Sequence, residues 1–493
     1  MRGPVNHSNT EISRKGSAAS PPHVHPYLVL TICCASLLLV GMDVTIVNVA
    51  LPAIQLGLHA SLAGLQWLVD AYTLTVASLL MFSGSMADRF GRRRVFEIGL
   101  TVFFAGSLLC SLAHSIGGLI FYRVLQGLGG SMLNPVALAI VVNVFPNPRE
   151  RVRAIGIWGA MMGISLAIGP VLGGALTQTI GWRSIFWINL PICVAALALT
   201  ARFVPESKAA RRRAYDPAGQ ILALAFLLSL TYAIIESPQD GWTSATSMVL
   251  FAVAALCMIL FLVLELRCRE PLLNPRFFRS VPFASAIVLA VLCYSSYAGF
   301  LFLNTLYLQQ VRGYPAFQTG LCTLPFAVMI TILAPVSGRM VGHYGPRPSV
   351  VAGGLGFLLS TLLLMPLSTE TPLPQLMLAY ALFGFSLGMI NPAITNNAVS
   401  GMPLAQAGVA SAIASTSRQV GTALGVALAG AIVSTGRARG MSFTQATHSV
   451  WWMMTACGVI VLLFGWVTTT GWAQRSTSKV ASLFPSAEST PAK

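Results

Sequence analysis

Three ionisable side chains stand inside long apolar runs of the N-terminal half of this 493-residue chain: Asp43, Asp70 and Arg123. A charge at the centre of a bilayer costs about 2.5–3.5 kcal/mol on insertion scales, so such residues point to a task. At 1.5 Å per helical residue, all three lie roughly 9–12 Å below the same end of their spans. Burial favours a neutral carboxylic acid, whereas a neighbouring guanidinium favours the ionised carboxylate. An acid balanced between these influences can load a proton from one side and release it on the other. Asp43 and Asp70 are therefore the expected proton carriers. Arg123, which stays charged, is expected to support or gate them. A fixed ion pair that only holds the first, second and fourth spans together is the alternative reading.

The elements that must position these residues follow from composition. Charged residues make up 9% of the chain and apolar residues 55%, against roughly 25% and 45–50% in soluble proteins. Runs of about 20 apolar residues, enough to cross the hydrocarbon, can be marked fourteen times. The chain thus reads as an all-α polytopic membrane protein with fourteen transmembrane helices. The net charge of +16 invites a nucleic-acid partner, but the placement of the basic residues argues against one. With the N-terminus inside, twenty-four of the thirty Lys and Arg fall on the inner side, which is the positive-inside pattern. The expected location is the plasma (inner) membrane, with both termini cytoplasmic and the lipid bilayer as surroundings. Residues 1–26 read as a cytoplasmic tail rather than a signal peptide. His23 and His25 there are expected to be bystanders, so no metal is expected. Cysteines lie mostly within apolar spans, without a disulfide spacing.

The chain is built twice. Ser83-Gly84-Ser85-Met86 returns as Ser337-Gly338-Arg339-Met340, and Gly127 to Pro135 returns as Gly384 to Pro392. Both copies hold the same place in span order. This gives a six-helix half over 27–206, two extra linker helices over 207–280, a second six-helix half over 281–472, and a tail over 473–493. Parallel halves imply a central cavity that opens to alternate faces as they rock.

Further stretches serve that motion. Gly84, Asp88, Arg89, Gly91, Arg92 and Arg93 lie between the second and third apolar runs. They are expected to form a tight charged turn in which Asp88 accepts from nearby Arg residues or caps a helix, acting as an inner gate. The repeat has Gly342 where Asp88 stands, so the gate is expected to be asymmetric. The fifth span carries Gly169, Pro170, Gly173 and Gly174, a bent and closely seated helix able to seal or pivot between halves. Trp67, Tyr72, Met161, Met162, Tyr294 and Tyr297 are candidates for an adaptable substrate cavity, with buried Arg418 nearby and no acid evident in its half.

These motifs resemble the major facilitator superfamily, and within it the fourteen-span drug:proton antiporter family. Gly84 to Arg93 match its loop signature, with Met86 in place of the usual Leu. Asp43 to Pro52 match its first-span signature, and Leu119, Arg123, Gln126, Gly127, Gly129 and Gly130 its fourth-span motif. Gly169 to Gly174 resemble the antiporter motif, and Trp182 to Pro191 match the fourteen-span branch. The resemblance implies a major facilitator fold that exports small amphipathic compounds in exchange for protons, with a role in drug resistance. Relatives that favour dications carry an added acid in the tenth span, and Pro325–Gly338 has none. An exporter of an endogenous metabolite or lipid, or a non-transporting receptor, is the alternative. No Gly-x-x-x-x-Gly-Lys-Ser/Thr loop is present, so neither an ATP-driven pump nor an enzyme is expected, and the proton gradient takes the place of a cofactor.

Overall fold

The computed structural model describes residues 25–208, 216–268, 273–400, 402, 404–468, 470, 473 and 475–477. The expected tails, apart from a few residues at their inner limits, and His23 lie outside these residues. Fourteen described helices are long and apolar enough to cross a bilayer. The first half comprises α1 (Pro26–Leu58), α2 (Leu62–Phe90), α3 (Arg92–Ser111), α4 (Ile116–Val144), α5 (Pro148–Thr179) and α6 (Ser184–Phe203). The extra pair is α7 (Pro217–Asp240) and α8 (Ala245–Arg267). The second half comprises α9 (Val281–Val311), α10 (Ala316–Tyr344), α11 (Pro346–Leu364), α12 (Leu373–Val399), α13 (Leu404–Ala438) and α14 (Phe443–Val467). In a bilayer every backbone polar group must be satisfied within the chain, which leaves helices as the economical choice for such apolar runs. Their ends are fixed by polar caps: Ser61, Ser115, Asn147, Asp216 and Ser244 each accept a backbone N–H at a helix start. All nine cysteines are free.

The charged turn expected around Gly84–Arg94 shrinks to one residue. Helix α2 runs on through Gly84 to Phe90, and α3 begins at Arg92. Gly91 alone makes the reversal, at φ +118°, a conformation costly for residues with a Cβ. Charged side chains at helix ends escape the hydrocarbon as well as those of a loop do, so α2 need not stop where its apolar run stops. Gly84 is correspondingly not a turn residue, and a Cβ there would meet nothing within 4 Å. The duplication is visible at this point: Gly345 reverses the chain between α10 and α11 at φ +78°. It is visible again where a Cβ at Gly127 would strike the Tyr72 carbonyl of α2, and one at Gly384 the Phe326 carbonyl of α10.

Glu206, beyond α6, ties this corner together. Its carboxylate accepts from the backbone N–H groups of Arg93 (3.1 Å) and Arg94 (3.3 Å) at the start of α3. Arg93 also donates to Glu97 and to the Ala201 carbonyl, and Arg92 to the Ala139 carbonyl. Replacing a side-chain helix cap by Ala typically costs about 1 kcal/mol. Glu206→Ala is expected to lower the melting temperature of the detergent-solubilised protein, and an unchanged melting curve would contradict the capping role.

The ends of the bundle are distinguished here as the basic face, where Gly91 and Gly345 lie, and the opposite face. Hydrogen bonds between halves gather toward the opposite face. Gln309 donates to the Val49 carbonyl (2.8 Å), Gln310 to Gln55 (2.7 Å), Gln66 to the Ala427 carbonyl (2.9 Å), and the Phe317 N–H to Gln178 (3.3 Å). Helix α5 seats there with little clearance. A Cβ at Gly169 would meet Thr45, one at Gly173 would meet Ile46, and one at Gly174 would meet the Ala316 carbonyl of α10. Gly320 of α10 presses in turn on the Pro170 carbonyl. Nearer the basic face, Gly156 and Gly159 of α5 and Gly338 and Gly342 of α10 face open space. The halves are thus closed at the opposite face and parted between α5 and α10 toward the basic face.

Candidate functional site: a saturated ion pair and an unpartnered acid

Asp43 on α1 is fully buried, as is Arg123 on α4. Arg123 Nη1 donates to Asp43 Oδ2 at 2.5 Å and to Gln126 Oε1 at 2.7 Å. Gln126, one turn along the same face of α4, donates to Asp43 Oδ1 (2.8 Å) and Ser107 of α3 (2.8 Å). Asn189 of α6 also donates to Asp43 Oδ1 (3.3 Å). Arg123 Nε donates to the Leu68 carbonyl of α2, and its guanidinium lies 4.3 Å from the Tyr72 ring centroid. Five helices of one half are therefore joined in one network around the Asp43 carboxylate, each of whose oxygens accepts a hydrogen bond. An ion pair this dry is supported by further hydrogen bonds from Arg123 Nε, Gln126 and Asn189.

Asp70 is not part of that network, contrary to the shared cluster expected from depth. Both its oxygens are buried and have no hydrogen-bond partner among the described residues. Depth along a helix says nothing about azimuth, and the azimuth differs. One turn before Asp70, Gln66 donates to carbonyls of α13; one turn after it, Leu74 packs in a cluster with Ala423 of α13. Asp70 therefore sits in the seam between α2 and α13, where the two halves touch. An ionised carboxylate without a donor or counter-ion is costly to bury. The seam suits a neutral carboxylic acid.

The other expected residues are placed as follows. Asp88 accepts from Arg92 Nη2 at 3.2 Å, a pairing one turn apart across the Gly91 reversal and within a single half. Arg89 lies beside Phe90. Trp67 leaves the expected cavity set: its indole N–H donates to Glu236 of α7 at 2.9 Å, and its ring lies 5.5 Å from Tyr232. Tyr72 leaves it too, since its ring covers Arg123 and is only 2% exposed. Met161 packs against the first half's core, while Met162 is 38% exposed. Tyr297 stacks on Phe326 (5.5 Å), and Tyr294 lies beside it. Arg418 is half-buried rather than buried, 6.0 Å from the Tyr294 ring. No cluster of metal-ligating side chains occurs among the described residues.

Three participants escaped the sequence reading as site residues: Gln126, Asn189 and Glu236. Gln126 and Asn189 lay inside motifs quoted above, and Gln126 shares a helix face with Arg123. Glu236 directly follows the apolar run of the first linker span. The second half shows what the duplication discarded. Tyr380 stands at Arg123's place in the repeat, an offset of 257 residues, and donates to Asn304 at 2.6 Å. Arg123's counterpart thus makes a neutral pair, with a residue one turn beyond Phe300, which holds Asp43's place.

Residues 33–426 match the Major Facilitator Superfamily profile. The chain belongs to that superfamily. It is a membrane transporter and multi-pass, not an enzyme. Among similar proteins, the multidrug resistance protein Stp of Mycobacterium tuberculosis is 39% identical over 398 residues, covering 81% of this chain and 74% of that protein. The tetracenomycin C resistance and export protein of Streptomyces glaucescens is 35% identical over 410 residues, covering 83% and 76%. At the level of fold, the D-xylose–proton symporter superposes with a TM-score of 0.63 at 15% identity, covering 89% of this chain and 97% of that one. A bacterial homologue of the human lysosomal transporter Spinster, in an inward-facing unoccupied conformation, gives 0.66 at 17% identity, covering 94% and 99%. The two-half fold of this facilitator, with its extra helix pair, agrees with the order of motifs along the chain.

Proposed function

We propose that this facilitator is a proton-coupled efflux antiporter of the plasma membrane that exports small amphipathic drugs or toxic compounds. The relatives named for resistance and export support the cargo class. The positive-inside distribution supports a cytoplasmic basic face and cytoplasmic termini. On that orientation, the conformation described above is closed to the outside and opens toward the cytoplasm. The observation that carries the proton role is the contrast between two buried acids. Asp43 already accepts from Arg123, Gln126 and Asn189. Asp70 accepts from nothing described and lies where the halves must slide. Rocking parts α2 from α13 on one side at a time, so a proton on Asp70 exchanges with the water that reaches it from that side. Asp43 and Arg123 hold the first half as one rigid body during the motion. Asp88 and its partner Arg92 stabilise the closing corner at the cytoplasmic face.

The reading is tested by dye efflux and drug susceptibility in a pump-deficient host. Extrusion against a concentration gradient is expected, and a protonophore is expected to abolish it. Extrusion that survives collapse of the proton gradient would remove proton coupling from the account.

A further inference from the structure

We propose that Arg418 makes the second half an anion-recognising wall, so that the preferred cargo is an amphipathic organic acid or phenolate rather than a cation. This deepens, and rests on, the export reading above. Over residues 281–472 the sequence contains one acid, Glu370, in the connection between α11 and α12 at the opposite face. Arg418 stands about 21 Å along α13 from its start at Leu404 and forms no ion pair with any described residue. Its one described side-chain bond, to Thr395 Oγ1, is long at 3.5 Å. Its guanidinium faces the ring of Tyr294, and one turn on along α9 the hydroxyl of Tyr297 is buried with no partner.

A half-buried guanidinium in membrane-spanning structure without a counter-ion attracts an anion more strongly than one in bulk water, because solvent screens it only in part. Its planar fork fits a carboxylate or phenolate, Tyr294 adds flat apolar area, and the Tyr297 hydroxyl is an unused donor. A cation brought to the same wall meets like charge, which acts against the wrong ligand. Each acid on the nearby elements is paired, hydrogen-bonded or, for Asp70, suited to the neutral form as argued above. Asp43 is occupied by Arg123, Glu236 accepts from Trp67, and Asp70 lies in the α2–α13 seam. An inside-negative potential also pushes an anion outward, in the same sense as proton entry.

The test uses the purified full-length protein in neutral detergent at pH 8, with two xanthene dyes of similar size, anionic fluorescein and cationic rhodamine 123. Fluorescence anisotropy is expected to show fluorescein bound at least about tenfold more tightly than rhodamine 123. Arg418→Gln is expected to lose about tenfold in fluorescein affinity with rhodamine binding unchanged or improved, and Arg418→Lys to keep part of it. Tighter rhodamine binding by the unaltered protein would overturn the proposal. So would fluorescein binding that Arg418→Gln leaves intact, or equal loss of both dyes together with a lowered melting temperature. Displacement of fluorescein by equimolar phosphatidylglycerol would assign the site to a lipid headgroup and equally overturn it. In inverted vesicles, protonophore-sensitive uptake of rhodamine 123 without uptake of fluorescein would remove this inference while leaving proton-coupled export standing.

Discussion

Asp70→Asn is expected to insert and fold normally yet lose protonophore-sensitive dye export to background. The carboxyl group of Asp70 makes no described hydrogen bond, so an amide of the same shape breaks none, and stability is expected to change by no more than about 1 kcal/mol. What the amide cannot do is bind and release a proton. Asp70→Glu keeps a titratable group and is expected to retain part of the activity. The measurement is the rate of ΔpH-driven dye movement in proteoliposomes, normalised to folded protein by size-exclusion chromatography. Full gradient-driven activity in Asp70→Asn would exclude this acid and return Asp43 to the leading position.

The reverse signature is expected one helix away. Asp43→Asn removes the counter-ion of a fully buried guanidinium, and breaking such a pair from one side costs about 3–5 kcal/mol. Expression as a monodisperse protein is expected to fall sharply, with a melting temperature well below that of the unaltered chain. Arg123→Gln alone is expected to destabilise comparably by stranding the Asp43 carboxylate. Combining the two leaves a neutral pair of the kind that Tyr380 and Asn304 already form in the second half. The double variant is therefore expected to be more stable than either single one, a non-additivity measurable as a coupling energy. Single variants as stable as the original chain would show that the pair contributes little to holding α1 and α4 together.

These two expectations separate acids that the sequence presents as equals. Asp43 and Asp70 have the same side chain, comparable apolar surroundings and similar depth, and any reading along the chain treats them alike. Their roles diverge through neighbours more than a hundred residues apart in sequence. Asn189 approaches Asp43 from α6, while α13 of the other half covers the face of α2 that bears Asp70. Two of the cavity candidates are drawn elsewhere for the same reason. Trp67 and Tyr72 are aromatic residues on one membrane helix, but one binds a linker-helix carboxylate and the other covers Arg123.

The amino-acid sequence by itself determined the fourteen helices, their duplicated order and the small set of charges worth attention. Those features follow from chain-local physics: apolar length against bilayer thickness, the cost of buried charge, and glycine at tight reversals. Only the tertiary structure decided which acid is saturated, which is unpartnered, and that Glu206 and Glu236 bind together segments remote in sequence. Pairing depends on helix azimuth and on contacts across the two halves, and a periodic run of apolar residues carries little record of either.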